Sequence, residues 1–402
     1  MKRGTALLAG VLGMWARTAA AADPPLCTTL SNPLVIFSGD TQEPLLKAMG
    51  RKLRDSATSP MTVIYQTGGT CTVQEYMYGH KNIPQKTVLS YMPSTAENKD
   101  WKTSDPPLQC TVPDGIGLPI DLGIGATYLS SCDTSPPPSD MRLVEGPIQG
   151  YGFAVPKASS QRAITAEEGY FAFGGFGPQG HALPWVDDQF FYIRKTTKST
   201  LLTLAAALGI PAPRMKGTQF EKSSEVLAAL TGSAAAANPD KAIGLLGTEI
   251  YDANRDKVTL LAFQAAKQHY AYYPDSTATS FDKRNLRDGH YFPWAPTIYI
   301  EPIGATGGPL LPRARLFLDL VMGRATLPDV DGLAVVIDKG LVPECAMKVM
   351  RSSDGGDLSL YDDPEPCGCY YESKVPNGST SCTACTDTCA SGTCRHGYCE
   401  AR

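Results

Sequence analysis

Short apolar runs alternate with helical patterns along most of the chain. Three of these runs end in small hydroxyl and glycine residues and then open into a helical pattern, in residues 34–41, 63–70 and 190–200. Strands that alternate with helices in this way predict a parallel or mixed sheet with crossover helices. Each run would place the carboxyl end of a strand beside a helix N-terminus, where unpaired N–H groups and the helix dipole favour an anion. The pattern therefore predicts an α/β protein with polar sites at its strand ends.

The alternation falls into two parts. The first covers residues 33–125 and includes a helix whose apolar stripe contains Leu45 and Met49. The second begins near residue 150 and includes a helix over residues 199–208, which Gly209 should end. Two such parts predict two α/β lobes.

A polar segment interrupts the first part at residues 80–119. It carries Trp101 and two adjacent prolines, and we interpret it as a surface insertion. A disulfide between Cys71 and Cys110 would hold such an insertion against the lobe.

Periodic hydrophobicity ends near residue 352, and eight of the twelve cysteines lie at or after Cys345. The pair Cys382 and Cys385, with His396, permits a zinc site, but tetrahedral zinc needs two such pairs at finger-like spacing. The even count and short loops instead favour a small module of disulfides over residues 353–402. We expect this tail to add little apolar surface to either lobe.

The N-terminal residues are typical of a secretory signal peptide. Residues 1–22 combine a basic start, a short apolar stretch and a run of alanines. Cleavage would remove three basic residues and no acidic ones, moving the net charge from −4 to −7. A moderately acidic protein is a poor nucleic-acid binder, and no later apolar run reaches membrane length. The sequence predicts an exported protein, periplasmic or at the cell surface.

The candidate ligand contacts lie at the three strand ends. Arg194, at the third strand end, could bind an oxyanion with two hydrogen bonds. An equally weighted alternative is a surface arginine that bridges the lobes. The hydroxyl residues could bind the ligand or, as is more common, cap helices. The carboxylate at residue 40 would repel an anion unless it is protonated or turned away. The full set is Asp40, Thr41, Gly69, Thr70, Arg194, Thr197, Lys198, Ser199 and Thr200.

Motifs of catalysis and metal binding are missing from the sequence. The five histidines are scattered without metal-ligand spacing, and neither a nucleophile-elbow motif nor a phosphate-cradling loop occurs. We predict a protein that is not an enzyme and that uses no metal and no cofactor.

The order of these motifs resembles the type 2 periplasmic binding proteins, and within them the phosphate-binding family of transport systems. Residues 37–41 look like that family's opening anion-binding turn, and residues 67–70 are similar to its second helix start. Residues 194–200 stand where the family has an arginine followed by a Ser-Gly-Thr turn. Residues 240–246 and 339–343 resemble its later strand and closing turn.

The resemblance covers residues 33–350 and implies a two-lobed α/β fold with helices on both faces of mixed sheets. Lobe 1 would comprise residues 30–148 and 287–350, and lobe 2 residues 149–286. Hinge segments would lie near residues 146–150 and 282–290. The disulfide-rich module, residues 353–402, would follow as a separate unit.

Two departures from the family pattern change the expected ligand. Lys198 stands where relatives have a hydroxyl, and the glycine that follows there is absent. At the end of the strand over residues 120–126, Gly125, Ala126 and Thr127 stand where phosphate binders have the carboxylate that accepts the ligand's proton. The resemblance thus implies capture of a small oxyanion or acidic solute between the lobes, for delivery to an ABC-type transporter permease. The main alternative is a secreted or cell-surface scaffold or adhesion protein without a transport ligand; a secreted hydrolase ranks third.

Overall fold

Two lobes of α/β structure face each other across a cleft in the computed structural model, which describes residues 23–176 and 182–401. The predicted signal peptide lies outside the described residues. The strands are β1 (Pro33–Gly39), β2 (Thr62–Gly68), β3 (Val88–Tyr91), β4 (Leu108–Thr111), β5 (Leu122–Gly125), β6 (Met141–Pro156), β7 (Ala163–Thr165), β8 (Phe191–Arg194), β9 (Thr218–Phe220), β10 (Ile243–Gly247), β11 (Val258–Leu260), β12 (Ala262–Gln264), β13 (Trp294–Pro302), β14 (Val349–Met350), β15 (Ser359–Leu360), β16 (Thr393–Arg395) and β17 (Tyr398–Glu400). The α-helices are α1 (Glu43–Asp55), α2 (Thr70–Tyr78), α3 (Ala166–Phe171), α4 (Ser199–Leu208), α5 (Ser223–Thr231), α6 (Ser233–Ala237), α7 (Thr248–Asp252), α8 (Arg284–Arg287), α9 (Pro312–Val321), α10 (Gly332–Asp338) and α11 (Gly368–Lys374).

Lobe 1 is built on the strand order β4-β3-β2-β1-β5-β13. The central strand β1 runs parallel to β2 and β5, as crossover connections through helices require. The predicted stripe of α1 is buried, with Leu45 and Met49 almost fully covered, and Pro44 falls in the helix's first turn, where it is tolerated. Phe317 of α9 and Val336 of α10 join the same core.

The segment predicted to be a surface insertion is part of the sheet. It supplies β3 and β4, and Ile83, Leu89 and Val112 are buried beneath them. The predicted bridge between Cys71 and Cys110 is wrong, because Cys110 pairs with Cys27 and Cys71 pairs with Cys132. β4 lies at the sheet edge beside the N-terminal residues, which brings Cys27 within reach.

Lobe 2 carries β8 between β9 and β10, all parallel, with β10 antiparallel to β6. Aromatic rings fill its core, where Phe153 lies between Phe173 and Phe263. The helix α4 ends where predicted, at Leu208, and Gly209 follows in the left-handed region with φ 67°. A residue without Cβ adopts that conformation without strain.

One long strand connects the lobes. The first half of β6 pairs with β13, and its second half pairs with β10 and β11. The predicted hinge at residues 146–150 therefore lies inside β6. In the second predicted hinge segment, residues 282–290, Leu286 is buried in the lobe 2 core, and β13, which follows that segment, pairs with the first half of β6. The predicted two-lobed α/β architecture is confirmed, and the lobe boundaries stay predictions.

The C-terminal segment returns to lobe 2 and packs into it. The expectation that residues beyond 352 add little apolar surface is wrong, because Cys367, Tyr371 and Val375 belong to the lobe 2 core. Tyr371 of α11 is 1% exposed, and its ring lies under the Arg287 guanidinium. The sequence could not indicate this, since a helix of 7 residues is too short to leave a clear periodic pattern. The boundary at residue 353 stays a prediction.

Six disulfides account for all twelve cysteines, so the expected disulfide-linked tail is confirmed. Cys345 pairs with Cys367 and thereby links the tail to the preceding chain. The remaining pairs are Cys369–Cys382, Cys385–Cys394 and Cys389–Cys399. Within residues 23–176 and 182–401, no helix combines the length and apolar composition that crossing a membrane requires.

The C-terminal segment also joins the two lobes through Asp354. Its carboxylate accepts hydrogen bonds from Thr127 and Ser131 of lobe 1 and from Thr203 of α4 in lobe 2. The hydroxyls of Thr127 and Thr203 lie 2.8 Å apart. We call this cluster of four side chains the Asp354 clasp.

Candidate functional site: the cleft between the lobes

The three predicted strand ends meet between the lobes. The backbone N–H of Cys71, at the start of α2, donates to the Thr197 carbonyl oxygen of lobe 2 at 3.3 Å. A Cβ placed on Gly69 would lie 2.4 Å from the same oxygen, so the lobes approach this closely only because residue 69 is glycine. The structure therefore brings together the segments that carry all nine predicted contacts. Their role in ligand binding stays a prediction.

Arg194 is fully buried at this junction. Its Nη2 donates to Asp40 Oδ2 at 2.7 Å and to the Glu221 carbonyl oxygen at 2.6 Å. Its Nη1 donates to the Ser223 hydroxyl. Of the two roles considered for this arginine, the structure shows a bridge between the lobes, but a buried one rather than a surface one. The Asp40 carboxylate occupies the place where an oxyanion would contact the guanidinium.

Lys198 adds a second buried cation. Its Nζ lies 3.7 Å from Asp40 Oδ1 and 2.5 Å from Glu221 Oε1. Hydrogen bonds from Lys195 and Lys198 lower the pKa of Glu221 to about 2. The charge of Lys198 is thus compensated by carboxylates of both lobes.

Two predicted hydroxyl residues are buried without satisfied side chains. Thr41 and Thr200 are 3% and 0% exposed, and their Oγ1 atoms have no hydrogen-bond partner in the described part of the chain. Thr70 differs, because its Oγ1 accepts from the backbone N–H of Ala126 at 3.0 Å. Buried polar atoms are nearly always paired, so the two free hydroxyls indicate a position that a ligand or a water can fill.

A cavity of about 440 Å³ opens beside this junction. Lobe 1 lines it with Asp40, Glu43 and Lys47, and lobe 2 with Ser223 and Glu249. Apolar side chains form another part of the wall: Ile250, Phe281, Ile337 and Tyr371. The volume falls in the range of sites for organic ligands and exceeds what a bare tetrahedral oxyanion needs.

Glu249 is a cleft residue that sequence reasoning missed. It is 6% exposed, and the Gln149 amide donates to its Oε2, while Gln42 Nε2 donates to Gln149 Oε1 at 3.2 Å. Burial, with a smaller contribution from the Asp40 carboxylate, raises the pKa of Glu249 to about 8. The carboxyl group is therefore mostly neutral at pH 7. Nothing in residues 243–252 distinguishes this glutamate from an ordinary residue of a helix first turn.

Sequence reasoning also missed Lys283, because nothing in its local sequence distinguishes it. Its Nζ contacts Asp252 at 2.7 Å and Asp275 at 3.0 Å, and Arg255 contacts the same two carboxylates. This network neutralises the charges at the lobe 2 end of the cavity. Lys283 lies within the predicted second hinge region, and its two carboxylate partners attach that region to lobe 2.

The described cysteines that lie close enough to bind a metal are Cys385, Cys389 and Cys399. Each is in a disulfide, so none is available as a thiolate ligand. The tail thus has the disulfide chemistry predicted for it.

Comparisons with known proteins give similarities of structure only. No protein-family model and no curated protein sequence matches the chain. It is similar to a protein from Clostridium perfringens described as a phosphate ABC transporter substrate-binding protein with bound phosphate, at 12% identity and a TM-score of 0.49, over 78% of this chain and 99% of that one. It is also similar to an ABC-type phosphate transport receptor from Vibrio cholerae, at 11% identity and a TM-score of 0.45, over 77% of this chain and 99% of that one.

A third similar structure is the substrate-binding domain of a molybdenum ABC transporter from Clostridium difficile, at 11% identity and a TM-score of 0.37. The match covers 78% of this chain and 99% of that one. All three are described as binding components or receptors of ABC transporters. Identities and TM-scores this low define no ligand for the present chain.

Proposed function

We propose that this protein is an exported substrate-binding protein that holds a small acidic solute in the cleft between its lobes. The observation that supports this most directly is the pair of buried cations, Arg194 and Lys198, which both contact Asp40, a residue in the wall of a cavity lined from both lobes. The Asp40 carboxylate already occupies an anion position against them. The same groups could hold an anionic oxygen of a solute.

The cavity bears on the size of the solute. Its volume of about 440 Å³ and its partly apolar wall suit an organic acid as well as an oxyanion such as phosphate. The free hydroxyls of Thr41 and Thr200 would donate hydrogen bonds to anionic oxygens. Phosphate is one member of this ligand class, and a larger acidic solute uses more of the cavity.

The proposed location follows from the covalent structure. Disulfides in this number form and persist in oxidising compartments, and the predicted signal peptide would direct the chain there. We place the protein in the periplasm or at the cell surface. Delivery of the solute to an ABC-type transporter permease is the role that the resemblance to binding proteins implies, and no catalytic role is proposed.

A second candidate function is a secreted scaffold or adhesion protein that keeps the fold without a transport ligand. One observation favours it: the N–H groups of Arg194 already donate to Asp40, Ser223 and backbone carbonyls. A binding protein would have to exchange some of these contacts for the ligand. A scaffold would not.

Identification of a bound solute separates the two functions. Purified full-length protein would be denatured, and the released small molecules identified by mass spectrometry. Calorimetry with phosphate, sulfate, molybdate and glutarate would then test binding. We expect an acidic solute that binds the wild type and binds Arg194→Ala at least tenfold more weakly, as loss of a charge-paired contact predicts.

Arg54→Ala is the matched control, because Arg54 pairs with Glu97 at 2.8 Å away from the cavity. It should leave affinity unchanged. If no solute is released and none of the four anions binds, the scaffold function is favoured instead.

A further inference from the structure

We propose that Glu249 is a ligand contact of the cleft, and that its carboxyl group donates a hydrogen bond to an anionic oxygen of the bound solute. This inference rests on the proposed function and adds a group from outside the nine predicted contacts. It also specifies part of the solute's chemistry: the solute presents a hydrogen-bond acceptor, not a donor, to Glu249.

The first argument is placement. Glu249 lines the cavity although it is 6% exposed, and its Oε1 has no partner within residues 23–176 and 182–401. A Cβ on Gly247 would lie 2.2 Å from Glu249 Oε2, and a Cβ on Gly340 would lie 3.2 Å from the Glu249 Cα. Two close-approach glycines therefore make room for this side chain. An unpartnered buried oxygen in a residue that lines a cavity is the kind of group that a ligand satisfies.

The second argument concerns which oxygen carries the proton. Oε2 accepts a hydrogen bond from the Gln149 amide. A neutral carboxyl group accepts best through its carbonyl oxygen, so the hydroxyl is Oε1, the oxygen that has no partner. A hydroxyl in this position is a donor, and it requires an acceptor from the solute.

The hydrogen-bonded chain extends to lobe 1. Gln149 lies in β6, and its Oε1 accepts from Gln42 Nε2 at 3.2 Å, next to the predicted contact Thr41. Glu249, Gln149 and Gln42 thus connect lobe 2, the shared strand and lobe 1. A solute that contacts Glu249 is held by the same network that the lobes already share.

Burial and the charged groups around Glu249 together set its protonation. Asp40 faces it from the turn after β1, Asp252 lies on the same helix, and Tyr151 faces it from β6. Lys283 is bound to Asp252, while Asp338 and Lys339 line the same cavity from α10 and the turn that follows. Burial is the largest influence and raises the pKa of Glu249 to about 8. Below that pH the group donates to an anion, and above it the carboxylate repels one.

The test uses full-length protein and probes whose own charge is constant over the pH range. Affinities for sulfate and glutarate would be measured by calorimetry from pH 6.5 to 9.5 for wild type, Glu249→Gln and Glu249→Ala. For the wild type we expect affinity to fall by about tenfold for each pH unit above 8, as one linked proton requires. Glu249→Gln keeps a hydrogen-bond donor that does not titrate. Its affinity for the probes should be lower than that of the wild type, and it should not show the pH dependence that the Glu249 proton causes. Glu249→Ala should bind at least tenfold more weakly at pH 6.5.

Glu75→Gln is the control, because Glu75 is an exposed carboxylate on α2 outside the cavity. It should keep the wild-type pH profile. Unfolding curves for each variant separate weak binding from misfolding, and Glu249→Gln keeps the test decisive if Glu249→Ala does not fold.

The other outcomes are distinguishable. Binding of a probe with the same pH profile in wild type and Glu249→Gln overturns this inference and leaves the proposed function standing. Affinity for these dianions that rises with pH is incompatible with a hydrogen bond donated by a protonated Glu249, and also overturns it. Failure of both probes and of every solute in the proposed-function experiment overturns the proposed function, and the inference with it.

Discussion

Two of the contacts between the lobes are built from different chemistry. In the cleft, Asp40 of lobe 1, which lines the cavity, contacts the buried cations Arg194 and Lys198 of lobe 2. In the Asp354 clasp, a carboxylate of the C-terminal segment is held by hydroxyl groups of both lobes. A solute anion can compete with Asp40 for the cations, but it has nothing to exchange with the clasp.

This difference separates ligand recognition from lobe attachment. Closure by the ligand alone is the usual mechanism of a two-lobed binding protein. Here the clasp adds an attachment that does not depend on the ligand. Opening the cleft widely would break the clasp, so we expect solute exchange to involve local movement of the charged cluster or release of the C-terminal segment.

Among the variants that test this comparison, removal of the C-terminal segment should lower the free energy of unfolding the most. Truncation after Ser352, with Cys345→Ser to avoid a free thiol, deletes the Asp354 clasp and the buried Tyr371 and Val375. Loss of one buried aromatic residue costs on the order of 3–5 kcal/mol, so we expect a strong decrease in the free energy of unfolding or failure to fold. Thermal and denaturant unfolding measure it.

Leu360→Ala in the full chain is the control, because Leu360 lies in the same segment but is 94% exposed. If the truncated protein has the same melting temperature as the full chain, the segment is an independent module.

Arg194→Ala should have the next largest effect. It leaves Asp40 without its nearest cation, and breaking a buried ion pair costs about 3–5 kcal/mol. The double variant Asp40→Ala with Arg194→Ala should recover part of that loss, because no uncompensated carboxylate remains. Denaturant unfolding of the three variants gives the coupling free energy; a double variant as unstable as the sum of the singles contradicts the pairing.

The pH dependence of the free energy of unfolding gives a separate test of the cleft, through the raised pKa of Glu249. The pKa of Glu249 is raised from 4.5 to about 8 on folding, so the folded state binds this proton more tightly than the unfolded state. Its contribution is complete below pH 4.5 and is lost as pH rises towards 8. Wild type should therefore lose on the order of 1 kcal/mol per pH unit across this window relative to Glu249→Gln. Parallel pH profiles for the two proteins would contradict the raised pKa.

Asp354→Asn should have the smallest effect. The amide keeps one acceptor oxygen for the hydroxyls of the clasp and loses the charge, and unsatisfied buried partners cost about 1–3 kcal/mol. Burial raises the pKa of Asp354, which further reduces the difference between acid and amide. Ligand affinity should remain near the wild-type value. A tenfold change in affinity would mean that the clasp and the cleft are coupled.

Local patterns predicted the elements of the cleft but not its chemistry. The place of Pro44 in the first turn of α1, the buried stripe of that helix and the end of α4 before Gly209 all follow from local rules. The meeting of the strand ends follows from the parallel order of β1 and β2. The pairing of Arg194 with Asp40 joins residues 154 positions apart, and no local pattern encodes such a contact.

The same reason explains the other differences. Glu249 is perturbed by burial and by Gln149 from a distant strand, neither of which appears in its own neighbourhood of the sequence. Cys27 and Cys110 pair over 83 residues because β4 lies at the sheet edge. Tyr371 is buried by tertiary packing, in a segment whose composition is that of a loop.

The shared strand β6 has a consequence for how the whole molecule melts. Its 16 residues form ladders with β13 on one side of the junction and with β10 and β11 on the other. Unfolding of either lobe would remove hydrogen bonds from β6, which also forms part of the other lobe's sheet. Proteins of this size commonly unfold in steps. Here the common strand joins both halves thermodynamically, so heating should produce one cooperative calorimetric transition.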